Sequence, residues 1–427
     1  MKFSFHTLGC KVNQFETNSL KEIVVQKGHA LSDENPDVFV INTCTVTAVS
    51  DKKNIKLIRK IKKEKPNAIV AVCGCFAQIS PEKAAEIEGV DIICGTDHRA
   101  DVIDMCLDNA KNHTKHQVLQ NTSVKNQFEI LPISTRSNRT RELLKVQDGC
   151  NNFCSYCIIP YARGRSRSVP LEKAYEQTEI LAKFGTKEII ITGIEIASYG
   201  LDIGTNIIEL IAYLCKSFPQ VRFRLGSLEP RVVTDEFCER LSIYENLNPH
   251  FHLSLQSGCD TVLKRMNRKY DTTLFYDVCI KLRKFFPNPS ITTDLIVGFP
   301  SETEEEFEKT LDFIEKCQFS SMHVFPYSVR EGTKAATMSE QIDVNIKNSR
   351  AKRATELATA MEKNFLQSFV GKNLDVIVES PSHGKISGHS KYHFAVECEG
   401  VEFLRGNLYN LTIFCRNNGD LYGKINS

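Results

Sequence analysis

Short apolar runs alternate with longer amphipathic stretches along the first part of the chain. The apolar runs predict strands at Lys2–Leu8, Val38–Ile41, Ala68–Val72 and Asp91–Ile93. The amphipathic stretches predict helices near Gln14–Gln26, Asp51–Lys63, Pro81–Ile87 and Arg99–Asn109. Because strands that alternate with helices form parallel sheets, we expect residues 1–110 to be an N-terminal domain with a doubly wound parallel sheet.

Residues 111–139 are polar and predict a linker with one strand at Gln127–Leu131. A second alternating series follows in residues 140–340. Its predicted strands are Leu143–Gln147, Glu188–Thr192, Arg222–Leu225, His250–Ser254, Ser290–Val297 and Met322–Phe325. The helices predicted between them lie near Leu171–Phe184, Ile207–Ser217, Asp235–Ser242, Thr261–Met266, Thr273–Phe285 and Glu304–Cys317. Six β/α units cannot close an eight-stranded barrel, so we expect a partial (β/α)6 barrel with an open side.

The last part of the chain changes its pattern. Residues 341–369 have helical composition and predict a connecting helix, whereas residues 370–427 alternate as strands do and predict a small β-barrel. Turn signals occur at Ser380–Gly384, Gly406–Asn407 and Asn417–Gly419. The aromatic residues supply the barrel core or a surface on which RNA bases stack, and they are Tyr392, Phe394, Phe403, Tyr409 and Phe414. The complete chain is therefore predicted to be an α/β protein.

Composition limits the class of protein. A chain of 427 residues with 41% hydrophobic and 25% charged residues is typical of a soluble protein with two or three domains. The apolar runs are too short to span a membrane, and the segment Met1–His6 has no signal-peptide pattern, so we expect a cytoplasmic location. In a reducing compartment sixteen cysteines are not a disulfide framework, which leaves some of them as metal ligands.

Three cysteines, Cys150, Cys154 and Cys157, have the spacing C-x3-C-x2-C. Three thiolates on a cluster of four irons leave one iron open, and an open metal position indicates chemistry rather than a structural role. A zinc site is the alternative, but zinc sites usually have two C-x2-C pairs or added histidines, and neither His113 nor His116 has such a spacing. We therefore predict a [4Fe-4S] cluster here.

Three more cysteines follow predicted strands of the N-terminal domain. Cys10, Cys44 and Cys75 lie in turns at the carboxyl ends of the first three strands, the edge where open α/β sheets bind ligands. They predict a second cluster with three protein ligands. Small buried thiols are the alternative for each one, and spacing alone does not separate Cys75 from Cys73.

Longer motifs around these cysteines resemble a known family. The C-x3-C-x2-C run with an aromatic residue, Tyr156, before its last cysteine resembles the radical S-adenosylmethionine superfamily. Nearly the whole chain resembles the methylthiotransferases of that superfamily, through Thr7–Gln14, Asn42–Cys44, Gly74–Gln78 and Ile158–Gly164 and through a terminal segment similar to the RNA-binding TRAM domain. The resemblance implies two [4Fe-4S] clusters, Cys75 rather than Cys73 as a ligand, and S-adenosylmethionine as both methyl donor and radical source.

One branch of the family matches better than the others. The run Lys11-Val12-Asn13-Gln14 resembles the branch that modifies threonylcarbamoyladenosine in tRNA, whereas other branches tend to carry Gln-Met-Asn there. The resemblance implies a methylthio group added to carbon 2 of that base at tRNA position 37, with an external electron donor. The alternatives are isopentenyladenosine in tRNA, a ribosomal protein, or a non-catalytic iron–sulfur protein that carries electrons or binds RNA.

The resemblance also implies cofactor contacts near the strand ends of the partial barrel. These residues are Tyr156, Gly193, Ser227, Glu229, Ser254, Gln256 and Asp294. Strand-end capping is the alternative for Ser254 and Gln256. Glu195 departs from the family pattern, where His or Asn is usual. Two groups of basic residues are expected to face RNA phosphates, namely Arg163, Arg165, Arg167, Arg265, Arg268 and Lys269.

Overall fold

The computed structural model describes residues 1–122, 124, 127–134, 140–379, 386–399, 405–416 and 420–425. The predicted turns at Ser380–Gly384 and Asn417–Gly419, and the predicted aromatic residue Phe403, lie outside the described residues. Within the described part, no helix is both long enough and apolar enough to cross a membrane.

The N-terminal segment forms a six-stranded sheet. Its strands are β1 (Lys2–Thr7), β2 (Ala30–Leu31), β3 (Val38–Thr43), β4 (Ile69–Gly74), β5 (Ile92–Cys94) and β6 (His116–Val118). Its helices are α1 (Lys11–Gln26), α2 (Ala48–Glu64), α3 (Cys75–Ile79), α4 (Pro81–Ala85) and α5 (Val102–Asn112). The strand order is β2-β1-β3-β4-β5-β6, and every pair is parallel.

Helices cover both faces of this sheet. Alternate residues of β3 point to opposite faces, so Val38 and Val40 pack under α1 and α5, whereas Phe39 and Ile41 pack under α2. The doubly wound parallel sheet is therefore confirmed. The chain runs from β1 to the edge strand β2 and then crosses to β3, which puts the topological switch point between β1 and β3.

The central segment forms two parallel sheets around one hydrophobic core. Its strands are β7 (Glu142–Lys145), β8 (Gln147–Asp148), β9 (Arg167–Ser168), β10 (Glu188–Thr192), β11 (Arg222–Leu225), β12 (Ser227–Leu228), β13 (His250–Gln256), β14 (Ser290–Val297) and β15 (Ser321–Pro326). Its helices are α6 (Ile159–Arg163), α7 (Leu171–Lys183), α8 (Ile207–Ser217), α9 (Asp235–Leu241), α10 (Asp260–Arg265), α11 (Thr272–Phe285) and α12 (Glu304–Cys317).

These sheets make a partial barrel. One has the order β11-β10-β7 and the other the order β12-β13-β14-β15. Gly226 alone separates β11 from β12, so one interrupted strand joins the two sheets into a series of six β/α units. The predicted open (β/α)6 architecture is confirmed, with an additional short antiparallel pair of β8 and β9.

The last segment begins with α13 (Val344–Gln367), which packs on β15. Five strands follow and close a barrel in the order β16-β17-β18-β20-β19. They are β16 (Asn373–Val378), β17 (Ser387–Ser390), β18 (Ala395–Glu399), β19 (Leu408–Cys415) and β20 (Leu421–Ile425). Tyr392 is buried in the barrel core, whereas Phe414 is partly exposed and stacks on Tyr422 with ring centroids 5.3 Å apart.

Two local expectations were wrong. Residues 127–131 form no strand, although Leu131 is buried against the central core. Instead, β6 lies within the predicted linker, where three mostly polar residues give no strand pattern and only pairing with β5 makes the strand. The domain limits themselves remain predictions.

Candidate active site

Cys10, Cys44 and Cys75 meet at one edge of the N-terminal sheet. They follow β1, β3 and β4, which are neighbours, so their turns lie side by side. Gly9 adopts φ +109°, and a Cβ there would lie 2.7 Å from the Cβ and 3.0 Å from the Sγ of Cys44, so the first two turns touch. Cys10 acts electrostatically on the pKa of both other thiols. The structure therefore brings these three cysteines together.

Cys73 has a different environment from Cys75. Gly74 adopts φ +96°, which turns the chain between the two cysteines. Cys73 is completely buried in the hydrophobic core under α1 and α5, where burial raises its pKa to about 12. Its position is that of a small core side chain.

Cys150, Cys154 and Cys157 lie on one loop, here called the cluster loop, which several hydrogen bonds fix. The N–H of Cys150 donates to the carbonyl of Gly164 at 3.1 Å, and that of Cys157 donates to the carbonyl of Cys154 at 3.0 Å. Gly149 has φ +72°, and a Cβ there would overlap the carbonyl of Arg165. A side chain at position 149 would therefore disturb the loop.

The two groups of cysteines approach each other. Helix α3, which begins at Cys75, packs on α6, which follows Cys157. The charge of Cys75 acts on the pKa of Cys157, so one thiol of each trio lies within electrostatic range of the other trio.

The spacing of the thiols bears on the kind of metal group that they could hold. Among the described residues, no group of three His, Cys, Asp or Glu side chains is suitable to hold one metal ion. A cluster of four irons separates its thiolates by its own width, so it does not need such close ligands. Burial raises the pKa of Cys75 to about 11 and of Cys157 to about 12, which means that iron would have to displace their protons.

Nearby arginines favour that displacement. The Arg268 guanidinium donates to the Sγ of Cys154 at 3.2 Å, and the charge of Arg163 acts to lower the pKa of Cys75. Positive groups beside thiols stabilise thiolates, the form that binds iron. Each trio therefore has a positive group beside one of its thiols, which favours the form that binds metal.

A cavity of about 1200 Å³ lies beside the first trio, which consists of Cys10, Cys44 and Cys75. Its wall includes the Cys10 turn, the strands of the partial barrel from β11 to β15, α13 and the C-terminal barrel. Two predicted cofactor residues, Ser227 and Asp294, also line it. Cys10 and these two side chains therefore face the same space.

The remaining predicted cofactor residues occupy separate positions. A Cβ at Gly193 would lie 2.9 Å from the carbonyl oxygen of Gln147, so only glycine fits. Gln256 ends β13 with φ +69°. The Ser254 carbonyl accepts from the Arg268 guanidinium at 3.3 Å, which joins the end of β13 to the cluster loop.

Tyr156 and Glu229 are enclosed by protein. Tyr156 packs with a small hydrophobic cluster that includes Met266 and Phe299, and burial raises its pKa. Glu229 is buried, and its carboxylate accepts from the Nε of Arg231 at 2.7 Å. Glu195, the departure from the family pattern, accepts from the Nδ2 of Asn152 at 3.3 Å on the cluster loop.

Most of the basic residues expected to face RNA do not. Arg163 and Arg167 are 0% and 2% exposed, so neither can reach a phosphate, and that expectation was wrong. Arg265 is held by the carboxylate of Glu306 at 2.5 Å. Arg268 is directed at Cys154, and this also corrects its predicted role.

Arg165 and Lys269 remain exposed. The Arg165 guanidinium lies 4.7 Å from the ring centroid of Phe153, and Lys269 donates to the Oδ1 of Asn267 at 2.8 Å. Both side chains therefore lie beside the loop that carries Cys150, Cys154 and Cys157.

The buried arginines belong to a network that sequence reasoning missed. Glu16 on α1 contacts Arg163 at 2.9 Å, Lys145 at 2.8 Å and Arg99 at 3.1 Å. Asp148 contacts Arg163 at 3.0 Å. These charges join the N-terminal sheet to the partial barrel, and no local motif announces them because the partners are far apart in sequence.

Asn13 connects this network to the first trio. Its Nδ2 donates to the carbonyls of Leu8 at 2.8 Å and Thr43 at 3.0 Å, and its Oδ1 accepts from Arg163 at 2.7 Å. Thr43 precedes Cys44, and Asn13 itself lies one helical turn after Cys10. One buried amide therefore fixes two cysteine turns and the arginine that follows the other cluster loop.

Comparisons with known proteins agree with this arrangement. The radical SAM superfamily model matches residues 144–314, and the model described as uncharacterized protein family UPF0004 matches residues 2–95. The threonylcarbamoyladenosine tRNA methylthiotransferase MtaB of Bacillus subtilis (strain 168) is 39% identical over 96% of this chain and 93% of that protein. The tRNA-2-methylthio-N(6)-dimethylallyladenosine synthase of Fusobacterium nucleatum subsp. nucleatum is 34% identical over 99% of each chain.

A solved structure shares the fold. The radical S-adenosylmethionine methyltransferase TsrM from Kitasatospora setae, with cobalamin and a [4Fe-4S] cluster bound, aligns with a TM-score of 0.60 at 13% identity. The alignment covers 78% of this chain and 77% of that chain.

Proposed function

Because this chain belongs to the radical S-adenosylmethionine methylthiotransferase family, we propose that it adds a methylthio group to carbon 2 of threonylcarbamoyladenosine at position 37 of tRNA. Family membership establishes the enzyme class, whereas the identity of the modified base is our proposal. Two features support this base over isopentenyladenosine. The relative named for it is 39% identical, against 34% for the relative named for dimethylallyladenosine. The run Lys11–Gln14 also resembles the first branch.

The meeting of two cysteine trios carries this proposal. The family uses a [4Fe-4S] cluster with S-adenosylmethionine, and we assign that cluster to Cys150, Cys154 and Cys157. We assign a second [4Fe-4S] cluster to the trio that begins with Cys10. A reaction that both activates a C–H bond and delivers sulfur needs both functions within reach of one base, and the contact of α3 with α6 supports such proximity.

When bound, the clusters and S-adenosylmethionine would supply the carbon radical, the sulfur and the methyl group. The chain's own residues would bind and orient these groups. Ser227 and Asp294 would hold polar groups of S-adenosylmethionine at the cavity wall. Arg268 donates a 3.2 Å hydrogen bond to the Sγ of Cys154, which would orient this sulfur.

The network around Glu16 has a positioning role in this proposal. Arg163 joins Glu16 and Asp148 to Asn13, so the N-terminal sheet and the partial barrel are held in one relative orientation. Arg163, Lys145 and Arg99 each contact the buried Glu16 carboxylate, which restricts the geometries available to the network. We infer that this network sets the separation of the two trios.

Partners outside the chain complete the proposal. We propose that tRNA phosphates contact Arg165 and Lys269, and that the C-terminal barrel binds RNA, with Phe414 and Tyr422 as a stacking surface. An external donor would supply electrons, and the cytoplasm, where tRNA is modified, is the proposed location.

Analysis of tRNA nucleosides tests the proposal. A strain that lacks this gene should lose 2-methylthio-threonylcarbamoyladenosine while keeping the unthiolated base, as measured by mass spectrometry of digested tRNA. The wild-type gene should restore the mark, and a Cys154→Ser gene should not. Loss of a methylthio mark from isopentenyladenosine or a ribosomal protein instead would refute the substrate. Absence of 5′-deoxyadenosine from reduced, reconstituted protein would favour the non-catalytic alternative.

A further inference from the structure

Two cations on the cavity wall have free donor groups. Lys11 directly follows Cys10, lines the cavity, and makes no hydrogen bond or ion pair with any residue that the structure describes. Arg224 lies on β11, and its side chain is only 3% exposed. Its Nε donates to the Oε1 of Glu188 at 3.3 Å, whereas its two terminal amino groups bond to no described residue. Both cations therefore keep donors for a ligand.

The surroundings of these cations carry excess positive charge. Arg222 shares Glu188 with Arg224, at 2.6 Å, so one carboxylate serves two guanidinium groups. Burial and the charge of Arg141 lower the pKa of Arg224 to about 10, although Glu188 acts in the opposite direction. Burial, followed by the charge of Arg224, also lowers the pKa of His250. An anion in this part of the cavity would be stabilised.

The acidic residues on the cavity wall mostly have partners. Asp294 contacts the Nε2 of His252 at 3.1 Å, and Glu397 contacts Arg416 at 3.1 Å. Glu362 on α13 makes no ion pair with a described residue. The dipole of α1 adds positive potential at the N-terminus of this helix. No acidic residue in the first turn and no side-chain capping bond from Cys10 offsets it.

We propose that Lys11 and Arg224 bind the carboxylate of the substrate's threonylcarbamoyl group. This inference rests on the proposed function and adds the residues that select the base. A guanidinium with two free amino groups matches the two oxygens of a carboxylate. In adenine, N1 is bonded to C2 and to C6, and C6 carries N6, so a group on N6 lies near the carbon that receives sulfur. A cation next to Cys10 therefore lies where that carboxylate would be.

The pair also explains discrimination against an apolar substituent. An isopentenyl group would occupy the same space without a negative charge, and the buried Arg224 would then lose water without gaining a partner. Leaving buried polar donors unpaired is a strong means of rejecting a substrate analogue. We infer that selection operates through this penalty as well as through the favourable contact.

The experiment compares two substrates on the full-length reconstituted enzyme. One is an anticodon stem-loop RNA with threonylcarbamoyladenosine, and the other is the same RNA with its carboxylate converted to a carboxamide. Dissociation constants come from fluorescence anisotropy, and kcat/KM comes from mass spectrometry of the product. We expect the wild-type enzyme to prefer the acid by about 10- to 100-fold, the range for hydrogen bonds to a charged group.

Lys11→Gln should reduce this preference mainly by weakening binding of the acid, with little effect on the amide. Lys21→Gln is the matched control, because Lys21 lies on the same helix but does not line the cavity. Its preference should equal that of the wild type. Iron content and 5′-deoxyadenosine formation show whether Lys11→Gln retains its clusters, and the acid–amide comparison on the wild-type enzyme needs no variant.

Three results would overturn the inference. The first is a wild-type enzyme that binds and modifies the acid and the amide equally. The second is a Lys11→Gln enzyme that keeps the full preference. The third is equal weakening of both substrates by Lys11→Gln, which would indicate a contact to an RNA phosphate. In these cases the wild-type enzyme still methylthiolates the base, whereas failure of the proposed function would show as no product from either RNA.

Discussion

Replacement of Glu16 by glutamine tests whether buried charges hold the two halves of the site together. The Glu16 carboxylate is completely buried and contacts Arg163, Lys145 and Arg99 at 2.9, 2.8 and 3.1 Å. Glutamine has nearly the same shape but no charge. The variant therefore leaves three buried cations with less negative charge and almost no change in packing, which isolates the electrostatic contribution.

The magnitude follows from the pKa of Glu16. Burial alone would raise this pKa, yet Arg163, Arg99 and Lys145 hold it at about 2 instead of the usual 4.5. That difference corresponds to about 3 kcal/mol of stabilisation of the ionised form. Removing one partner of a buried ion pair usually costs about 3–5 kcal/mol. Since the two arguments agree, we expect Glu16→Gln to lose about 3–5 kcal/mol of unfolding free energy at pH 7.

The loss should depend on pH in a defined direction. The folded-state pKa of Glu16 is lowered, so its contribution is complete above the unfolded pKa of about 4.5 and disappears as the pH falls toward 2. The difference between wild type and variant should therefore shrink below about pH 4.5.

Urea unfolding followed by far-UV circular dichroism measures these differences, because the chain has no tryptophan for fluorescence. Glu209→Gln is the control. Glu209 contacts Arg240 at 2.7 Å on the surface, and such exposed pairs contribute less than about 1 kcal/mol. A loss for Glu16→Gln as small as that for Glu209→Gln, or a loss that does not change between pH 7 and pH 3.5, would refute the reasoning.

Three further predictions concern the cluster cysteines, the loop that carries Cys150 and the binding of tRNA. Cys154→Ser should abolish 5′-deoxyadenosine formation, whereas Cys44→Ser should retain part of that cleavage and lose sulfur insertion, both measured by mass spectrometry. Gly149→Ala would strain a backbone at φ +72° and overlap the carbonyl of Arg165, so reconstituted protein should lose about half its iron, and a full iron content would contradict this. Arg165→Glu should weaken tRNA binding and reduce the slope of log Kd against log salt by about one, whereas Lys173→Glu on α7 should not change it.

Local sequence patterns predicted the architecture because each element depends on nearby residues. The alternation of strands and helices predicted the N-terminal parallel sheet and the partial barrel, and strand-type alternation predicted the C-terminal barrel. The structure confirms all three. The errors lie where pairing with a distant segment decides the outcome. Strand β6 is three mostly polar residues that become a strand by joining β5, whereas residues 127–131 have a strand-like pattern but pair with no strand that the structure describes.

The candidate site shows the same division. The spacing of Cys150, Cys154 and Cys157 predicted one trio. The positions of Cys10, Cys44 and Cys75 after the first three predicted strands predicted the other. Burial was not predictable for the arginines. Arg163, Arg165 and Arg167 looked equivalent in sequence, but only Arg165 is exposed.

The sequence by itself predicted which cysteines are candidate cluster ligands and at which strand ends they lie, because motif spacing and the succession of strands along the chain are local properties. The tertiary structure decided which charges are buried, which of them pair across 129 to 147 positions of sequence, and which cations face the cavity. The physical reason is that the free energy of a charge depends on its surroundings in three dimensions. Glu16 and Lys11 lie five residues apart on one helix, yet one joins two halves of the protein and the other remains available to a ligand.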